Sequence, residues 1–272
     1  MARWEGILLL AAIAGYALAS LCCLSALVFG RERLQRGGFW LVVAGFALQS
    51  AAMLVRWQAT GHLPVMHTYE NSLAGTWVML LTYLAIQAWV PQARAMAVAV
   101  APLALLVLGN GLLVGAELQP LEPAFKSRWL IVHVLFAWFA FGSYVTAAAA
   151  GLMYLLKERS GAGVLGKLPE LKLLDELSMR LILFGFFAQA IMIGSGAIWA
   201  YGLWGRYWGW DPVETWSLVS WLVYGANLHL RITLGWTGRR AAWLAVASFL
   251  GIVFLFFGFG HGSSVHTQMF AQ

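Results

Sequence analysis

Eight apolar runs, each long enough to cross a hydrocarbon layer as a helix, constrain this chain more than any other feature. They are Gly6 to Phe29, Gly38 to Trp57, Ser72 to Val90, Ala95 to Gly115, Trp129 to Leu156, Met179 to Trp199, Trp216 to Gly235 and Ala241 to Gly260. About 20 residues at roughly 1.5 Å rise each span a bilayer core. Lipid offers the backbone no hydrogen-bond partners, so such runs fold as helices that satisfy their own peptide groups. With 61% hydrophobic and 10% charged residues and a mean hydropathy of +0.77, a water-soluble globular domain is excluded. The predicted fold class is all-α, a polytopic integral membrane protein with eight transmembrane helices, taken as a single membrane domain over residues 1–272. The first run is too long for a signal-peptide core and has little positive charge before it, so it is expected to stay in the mature chain.

Charge supplies the orientation. Of the 17 lysines and arginines, 12 fall on the side of the connections after runs one, three, five and seven, and 5 on the other, Arg56 among them. The positive-inside rule then places both termini outside, together with the loop between runs six and seven. The net charge of +6 reads as this asymmetry, with no nucleic-acid footprint. In the inner connection 157–178, Leu171, Leu174, Leu177 and Leu181 follow Pro169 at helical spacing, opposite Lys172, Asp175 and Glu176. That pattern predicts a short amphipathic helix lying on the inner membrane surface. The outer connections 58–71 and 116–128 hold Pro64, Pro120 and Pro123 and little charge, and read as lids over an outward site. Cys22 and Cys23 are adjacent inside the first run, which suits buried small hydrophobes better than a disulfide or a thiol relay. Gly111 and Gly115 offer a close-packing face between helices. Walker, dinucleotide and HExxH signatures are absent from the sequence.

The segment with the most chemistry is Trp204 to Trp221, WGRYWGWDPVETWSLVSW, which places Trp204, Trp208, Trp210, Trp216 and Trp221 in one short run. An indole wants apolar cover for its face and an acceptor for its N–H. Such rings suit either a membrane-interface belt or a flat apolar ligand, and their concentration in one loop favours a ring-lined shelf over a scattered belt. Gly202, Gly205 and Gly209 between them permit tight turning. Asp211, Pro212 and Glu214 then match a helix start: Asp at the N-cap, Pro at the first position, Glu three residues after the cap. Capping and a direct functional role are both open for Asp211 and Glu214.

Six histidines add a second kind of signal. His133 lies four residues into the fifth run, near its outer end, and His261 and His266 follow the eighth, at the height of the tryptophan loop. His229 comes thirteen residues after Trp216, about 20 Å down the seventh helix. An ionisable group at that depth is a functional candidate. His62 and His67 flank an outer loop and read as residues that cover the site. Singly, any of these suits a satisfied core or helix-end position. His133 with a C-terminal histidine, over an aromatic floor, suits the two axial positions of a haem iron.

At these residues the chain resembles the CcsA (ResC-like) cytochrome c biogenesis proteins, the WWD haem-handling membrane family. The likeness is carried by WGRYWGWDPVETWSLVSWLVYGANLHLR, by GHLPVMHTYENSL, and by the histidines near the C-terminus. It implies that His133, in SRWLIVHV, is one outer axial ligand and that the second follows the last helix. His266 fits best there because Thr267 follows it, with His261 in reserve. It further implies that His229 serves a deeper haem position whose second ligand comes from a CcsB (ResB-like) partner protein. The function so implied is delivery of haem b and its presentation for thioether attachment to the C-x-x-C-H segment of apocytochrome c, as a subunit of a cytochrome c synthase of the haem lyase type. The membrane would be a bacterial plasma membrane, or alternatively a thylakoid, with the WWD loop (201–216) facing outward. Val213 stands where the family usually has Lys, and His67 where Asn is expected. Two rival readings are a quinol-linked haem b electron-transfer subunit and a haem-free small-molecule transporter.

Overall fold

The computed structural model describes residues 2–118, 121, 123–160, 163 and 165–259. These fold into eight α-helices: α1 (Ala2–Phe29), α2 (Glu32–Thr60), α3 (Thr68–Trp89), α4 (Ala97–Val114), α5 (Arg128–Ser160), α6 (Leu171–Trp204), α7 (Pro212–Thr233) and α8 (Gly238–Phe259). Each apolar run lies largely within one of them. Six, α1 to α6, are long and apolar enough to cross a membrane, with the 3-10 turn Pro91–Met96 leading directly into α4. The chain is therefore a helical, multi-pass membrane protein.

The predicted surface helix on the inner side is not a separate element. Its leucines form the first turns of the 34-residue α6, and Leu174, Leu177 and Leu181 are buried. Packing of those leucines lets the helix run on without a break, where the charges on the opposite side suggested a surface-bound piece. The connection is also shorter than expected, because α5 continues to Ser160. There Lys157 donates its Nζ protons to the carbonyls of Leu168 and Pro169 at 2.7 and 3.2 Å.

The chain, read from its sequence as one membrane domain, divides into two compact units, residues 1–121 with 156–171 and residues 122–155 with 172–272. In the first, α1 packs along α2 through small residues. A Cβ on Gly38 would lie 2.6 Å from Cys23 Sγ, and one on Gly45 would lie 2.5 Å from the Tyr16 ring. Gly111 of α4 meets Ser72 of α3 just as closely, so it is the close-packing residue, whereas Gly115 ends the helix at φ 98°. A polar connection crosses this apolar packing. Tyr16 donates its O–H to Gln49 Oε1 at 2.7 Å, and Gln49 Nε2 donates to the Leu73 carbonyl at 2.9 Å, tying α1, α2 and α3 together.

The second unit repeats that connection. Tyr144 of α5 donates to Gln189 Oε1 of α6 at 2.8 Å, and Gln189 Nε2 donates to the Ser217 carbonyl of α7 at 3.0 Å and to Ser220 Oγ at 2.6 Å. Four residues before each glutamine stands a glycine, Gly45 or Gly185, and a Cβ on either would meet the tyrosine ring at 2.5 Å. Three residues before Leu73 and Ser217 stand Glu70 and Glu214, and each carboxylate accepts from backbone N–H groups at the start of its own helix. Each unit is thus built on the same three-helix plan, at spacings that differ enough to hide it in a linear reading. In the second unit the clamp is extended by Tyr224, stacked on Tyr144 with ring centroids 3.4 Å apart.

The two glycines make a paired test. Gly45→Ala and Gly185→Ala should each lower the thermal midpoint of the detergent-solubilised protein, by the equivalent of about 1–3 kcal/mol for an overpacked core. Gly194→Ala, in the same helix as Gly185 but with open space at its Cβ, should leave it unchanged.

Candidate functional site

His133 is held by α6. Its Nδ1 lies 2.8 Å from the Met192 carbonyl, so this nitrogen carries the proton and donates, leaving Nε2 as the basic nitrogen of the ring. Room for the imidazole comes from Gly196, where a Cβ would sit 2.6 Å from Nδ1. Three residues on, the buried Trp199 donates its indole N–H to the Ala124 carbonyl at 3.1 Å and fixes the same face of α6 to the segment before α5. The α5 residues from Ile131 to Phe139 are all half-buried, while Gly142 to Gly151 are buried. The stretch of α5 that carries His133 is therefore more open than the middle of the helix.

From Trp199 the helix continues to Trp204, whose ring meets Trp199 edge-on at 5.7 Å. Gly205, at φ 68°, turns the chain into the loop. Tyr207 then stacks back on Tyr201 at 4.4 Å, Trp208 and Trp210 meet at right angles 5.9 Å apart, and Arg206 lies over Gly209 so closely that a Cβ there would be 2.6 Å from its guanidinium carbon. Trp208 and Trp216 are half-buried, and Trp210 is 70% exposed.

The helix start predicted at Asp211 is present as a capping box. Asp211 is buried at the N-cap, its Oδ1 accepts from the Val213 N–H at 2.9 Å, and Pro212 occupies the first helical position. Glu214 does more than close the box. Its Oε2 accepts from the N–H of Asp211 at 3.2 Å and from that of Gly209 at 2.7 Å, the residues on either side of Trp210. Trp210 has φ 57°, the left-handed conformation that bulky residues avoid. Both flanking amides are thus tied to one carboxylate, which holds the backbone in this strained turn and presents the indole outward.

His229 occupies a different environment. It is exposed on α7, with Nδ1 3.2 Å from Thr233 Oγ1. Arg231, two residues on, is buried and paired with Asp175 at 2.8 Å. His261 and His266 lie outside the described residues. Among the described site residues, the structure joins His133 to α6 and the loop residues to one another, while His229 stands apart on α7. The residues that sequence reading missed are those that position others: Met192, Gly196 and Trp199. None belongs to a motif, and the only sequence trace is a glycine and a tryptophan on one helical face.

The corresponding end of the first unit is filled. Glu5 stands eleven residues before Tyr16, as His133 does before Tyr144, and Arg56 stands seven after Gln49, as Gly196 does after Gln189. Arg56 is 1% exposed. It donates to Glu70 at 2.9 Å, to Glu5 at 3.2 Å and to the carbonyls of Ala116 and Glu117 at 3.1 Å, while its guanidinium lies 4.6 Å above the Tyr69 ring. One unit therefore plugs its helix ends with an arginine where the other has a glycine beside a histidine.

Comparison with known proteins decides the family. A family model described as "Cytochrome C assembly protein" matches residues 65–266. The chain belongs to the cytochrome c assembly family. It is similar to the "Cytochrome c biogenesis protein CcsA" of Parasynechococcus marenigrum (strain WH8102), 33% identical over 249 residues, covering 80% of this chain and 81% of the relative. Similar too are the proteins of that description from Guillardia theta, 32% identical and covering 78% of each chain, and Chlamydomonas reinhardtii, 33% identical and covering 80% of this chain and 64% of the relative. Among solved structures, "Cytochrome c Heme Lyase CcmF" shares this fold with a TM-score of 0.66 at 20% identity. The match covers 95% of this chain and 49% of CcmF, so this member of the family spans about half that protein's length.

Glu214 should act through its hydrogen bonds. Glu214→Gln keeps an acceptor and should preserve the near-ultraviolet circular dichroism of the loop tryptophans. Glu214→Ala should change that signal and cost about 0.5–2 kcal/mol of stability, the usual loss at a helix cap.

Proposed function

We propose that this chain carries haem as its transported substrate and presents it for covalent attachment to apocytochrome c, as a subunit of a cytochrome c synthase with a ResB-like membrane partner. Membership of the cytochrome c assembly family supports this reading, as do the printed descriptions of the CcsA relatives. The observation that carries it is the state of His133. A main-chain carbonyl of α6 accepts from Nδ1 and fixes the ring in a half-buried stretch of α5, the support that metal-bound histidines share.

In this reading His133 supplies one axial ligand to the iron of haem b, and His266 the other, with His261 as the reserve. Trp204, Trp208, Trp210 and Trp216 give the flat face apolar cover, and Asp211 and Glu214 hold the turn that displays them. All eight helices cross the membrane, including α7 and α8, with both termini and the tryptophan loop on the outer side of a bacterial plasma membrane or thylakoid. His229 serves an earlier position on the haem path. Its exposure on α7 suits a site completed by a ligand from the ResB-like protein.

The attachment itself adds each cysteine S–H of C-x-x-C-H across a vinyl C=C, forming one C–S and one C–H bond with no leaving group. The thiols belong to apocytochrome c, so this chain needs no nucleophile. Its contribution is to orient the vinyl edge and exclude water.

His133→Gly should abolish cytochrome c maturation and reduce co-purifying haem, with partial recovery on adding imidazole; full maturation in this variant would rule out the axial role. Gly196→Val should displace the ring from the Met192 carbonyl and lower maturation by about tenfold to a hundredfold, the usual loss when a metal-binding histidine loses its support. Replacing His229 by Ala should reduce haem bound at the His133 site, read from the bis-imidazole absorption spectrum, and leave the helical content unchanged. A protein without any haem spectrum would favour the transporter reading.

A further inference from the structure

The first unit brings together three side chains of metal-ligating type, none of them among the proposed haem ligands. His62 and His67 lie on the loop between α2 and α3, and Glu70 on the first turn of α3. One donor atom from each falls within 4.8 Å of the other two. Glu70 Oε2 is 3.5 Å from His67 Nδ1 and 3.9 Å from His62 Nδ1. We propose that His62, His67 and Glu70 form a site for a divalent transition-metal ion of the zinc class.

Four observations support it. The donor set is right: two imidazoles and one carboxylate, with a fourth position left for water, suit zinc and its first-row neighbours. An ion about 2.0–2.1 Å from each donor spaces tetrahedral ligands about 3.3–3.5 Å apart, so donor atoms that lie within 4.8 Å of one another would draw in by at most about 1.5 Å. A carboxylate oxygen this near both rings suits a small ion and obstructs a porphyrin plane between them.

The site is also dry and built. The side chains of His62, His67 and Glu70 are 9%, 13% and 0% exposed. Glu70 is held rigid: its Oε1 accepts from Arg56 Nε at 2.9 Å, and its Oε2 from the N–H groups of Met66 and His67 at 3.2 and 3.5 Å. A ligand fixed in this way loses little freedom on binding.

His62 has a nitrogen to offer. Its Nδ1 lies 3.0 Å from the Leu63 carbonyl and so carries the donated proton, while Nε2 is buried with no hydrogen-bond partner. Buried polar nitrogens are normally satisfied, and an imidazole with one nitrogen on a main-chain carbonyl and the other unpartnered is arranged as metal-bound histidines are.

Finally, charge favours a cation. Glu5 and Glu70 are buried against the single guanidinium of Arg56, which leaves one negative charge uncompensated in the cluster. A bound ion would answer it, and would pin the loop to the start of α3 and, through Arg56, to α2 and α1.

The test uses the untagged full chain in detergent, stripped with a chelator and then titrated with Zn2+ alone. About one equivalent should bind per chain, with a rise in thermal midpoint. Co2+ in its place should give visible d–d absorption, and both His62→Ala and His67→Gln should weaken Zn2+ binding about tenfold or more. Circular dichroism of the zinc-free variants checks that they fold. His133→Gly should retain the zinc site, so failure of the haem reading and failure of this one are separable. Zinc binding unchanged in the His62→Ala, His67→Gln double variant would overturn the proposal. So would a folded wild-type chain that retains no zinc.

Discussion

The fold depends on a hydrogen bond that appears twice: a tyrosine hydroxyl on a glutamine side chain that in turn reaches a main-chain carbonyl of a third helix. In an apolar interior, helices can slide against one another at little cost, because one methyl contact is much like the next. A buried amide that must meet two specific partners removes that freedom, since missing either leaves a polar group unsatisfied. The glycine one turn before each glutamine lets the tyrosine ring lie flat on the helix, so the register is set by shape as well as polarity. With three helices fixed in depth at this point, the residues two to three turns away are fixed too.

Those residues are where the two units part company. Both place a polar side chain at the same distance from the tyrosine, and both begin the third helix with a glutamate that collects backbone amides. The first unit then fills the space with Arg56, whose donors are satisfied by two carboxylates and two carbonyls. A buried ion cluster of this kind is costly to open, because removing one partner strands the others. The second unit puts Gly196 at the matching position and His133 beside it. The same framework holds an arginine cluster in one copy and a carbonyl-supported histidine beside a glycine in the other, and the difference rests on single residues.

How much of this could be read in advance follows from the physics of each signal. Helix positions were legible because lipid demands long apolar runs, and the start of α7 because Asp211, Pro212 and Glu214 are local partners within one turn. The inner amphipathic stretch was misjudged because buried leucines opposite charges look the same whether a helix lies on a membrane or continues into one. Arg56 was counted among the charges that orient the chain, although it is buried in a cluster whose members, Glu5 and Glu70, are remote in sequence. The repeated plan was invisible for a related reason. Tyr16 and Tyr144, Gln49 and Gln189 are single matches at unequal separations, with no shared run between them. The support of His133 by a carbonyl and a missing side chain leaves no chemical mark in the sequence.

The loop after α6 shows what such support achieves. A tryptophan in the left-handed region is unfavourable by about 1–3 kcal/mol, and it persists only where its surroundings over-determine it. Here one carboxylate oxygen binds the amides before and after Trp210, so relaxing the turn would cost both hydrogen bonds and loosen the first turn of α7. Glu214 therefore converts the stability of a helix N-terminus into the fixed display of an exposed indole. Glu70 binds amides at the start of α3 in the same way, but spends its second oxygen on Arg56 and so faces inward. A capping box is ordinarily a way to begin a helix. In this chain its two copies serve opposite ends, one sealing a buried ion cluster and the other holding an aromatic surface open.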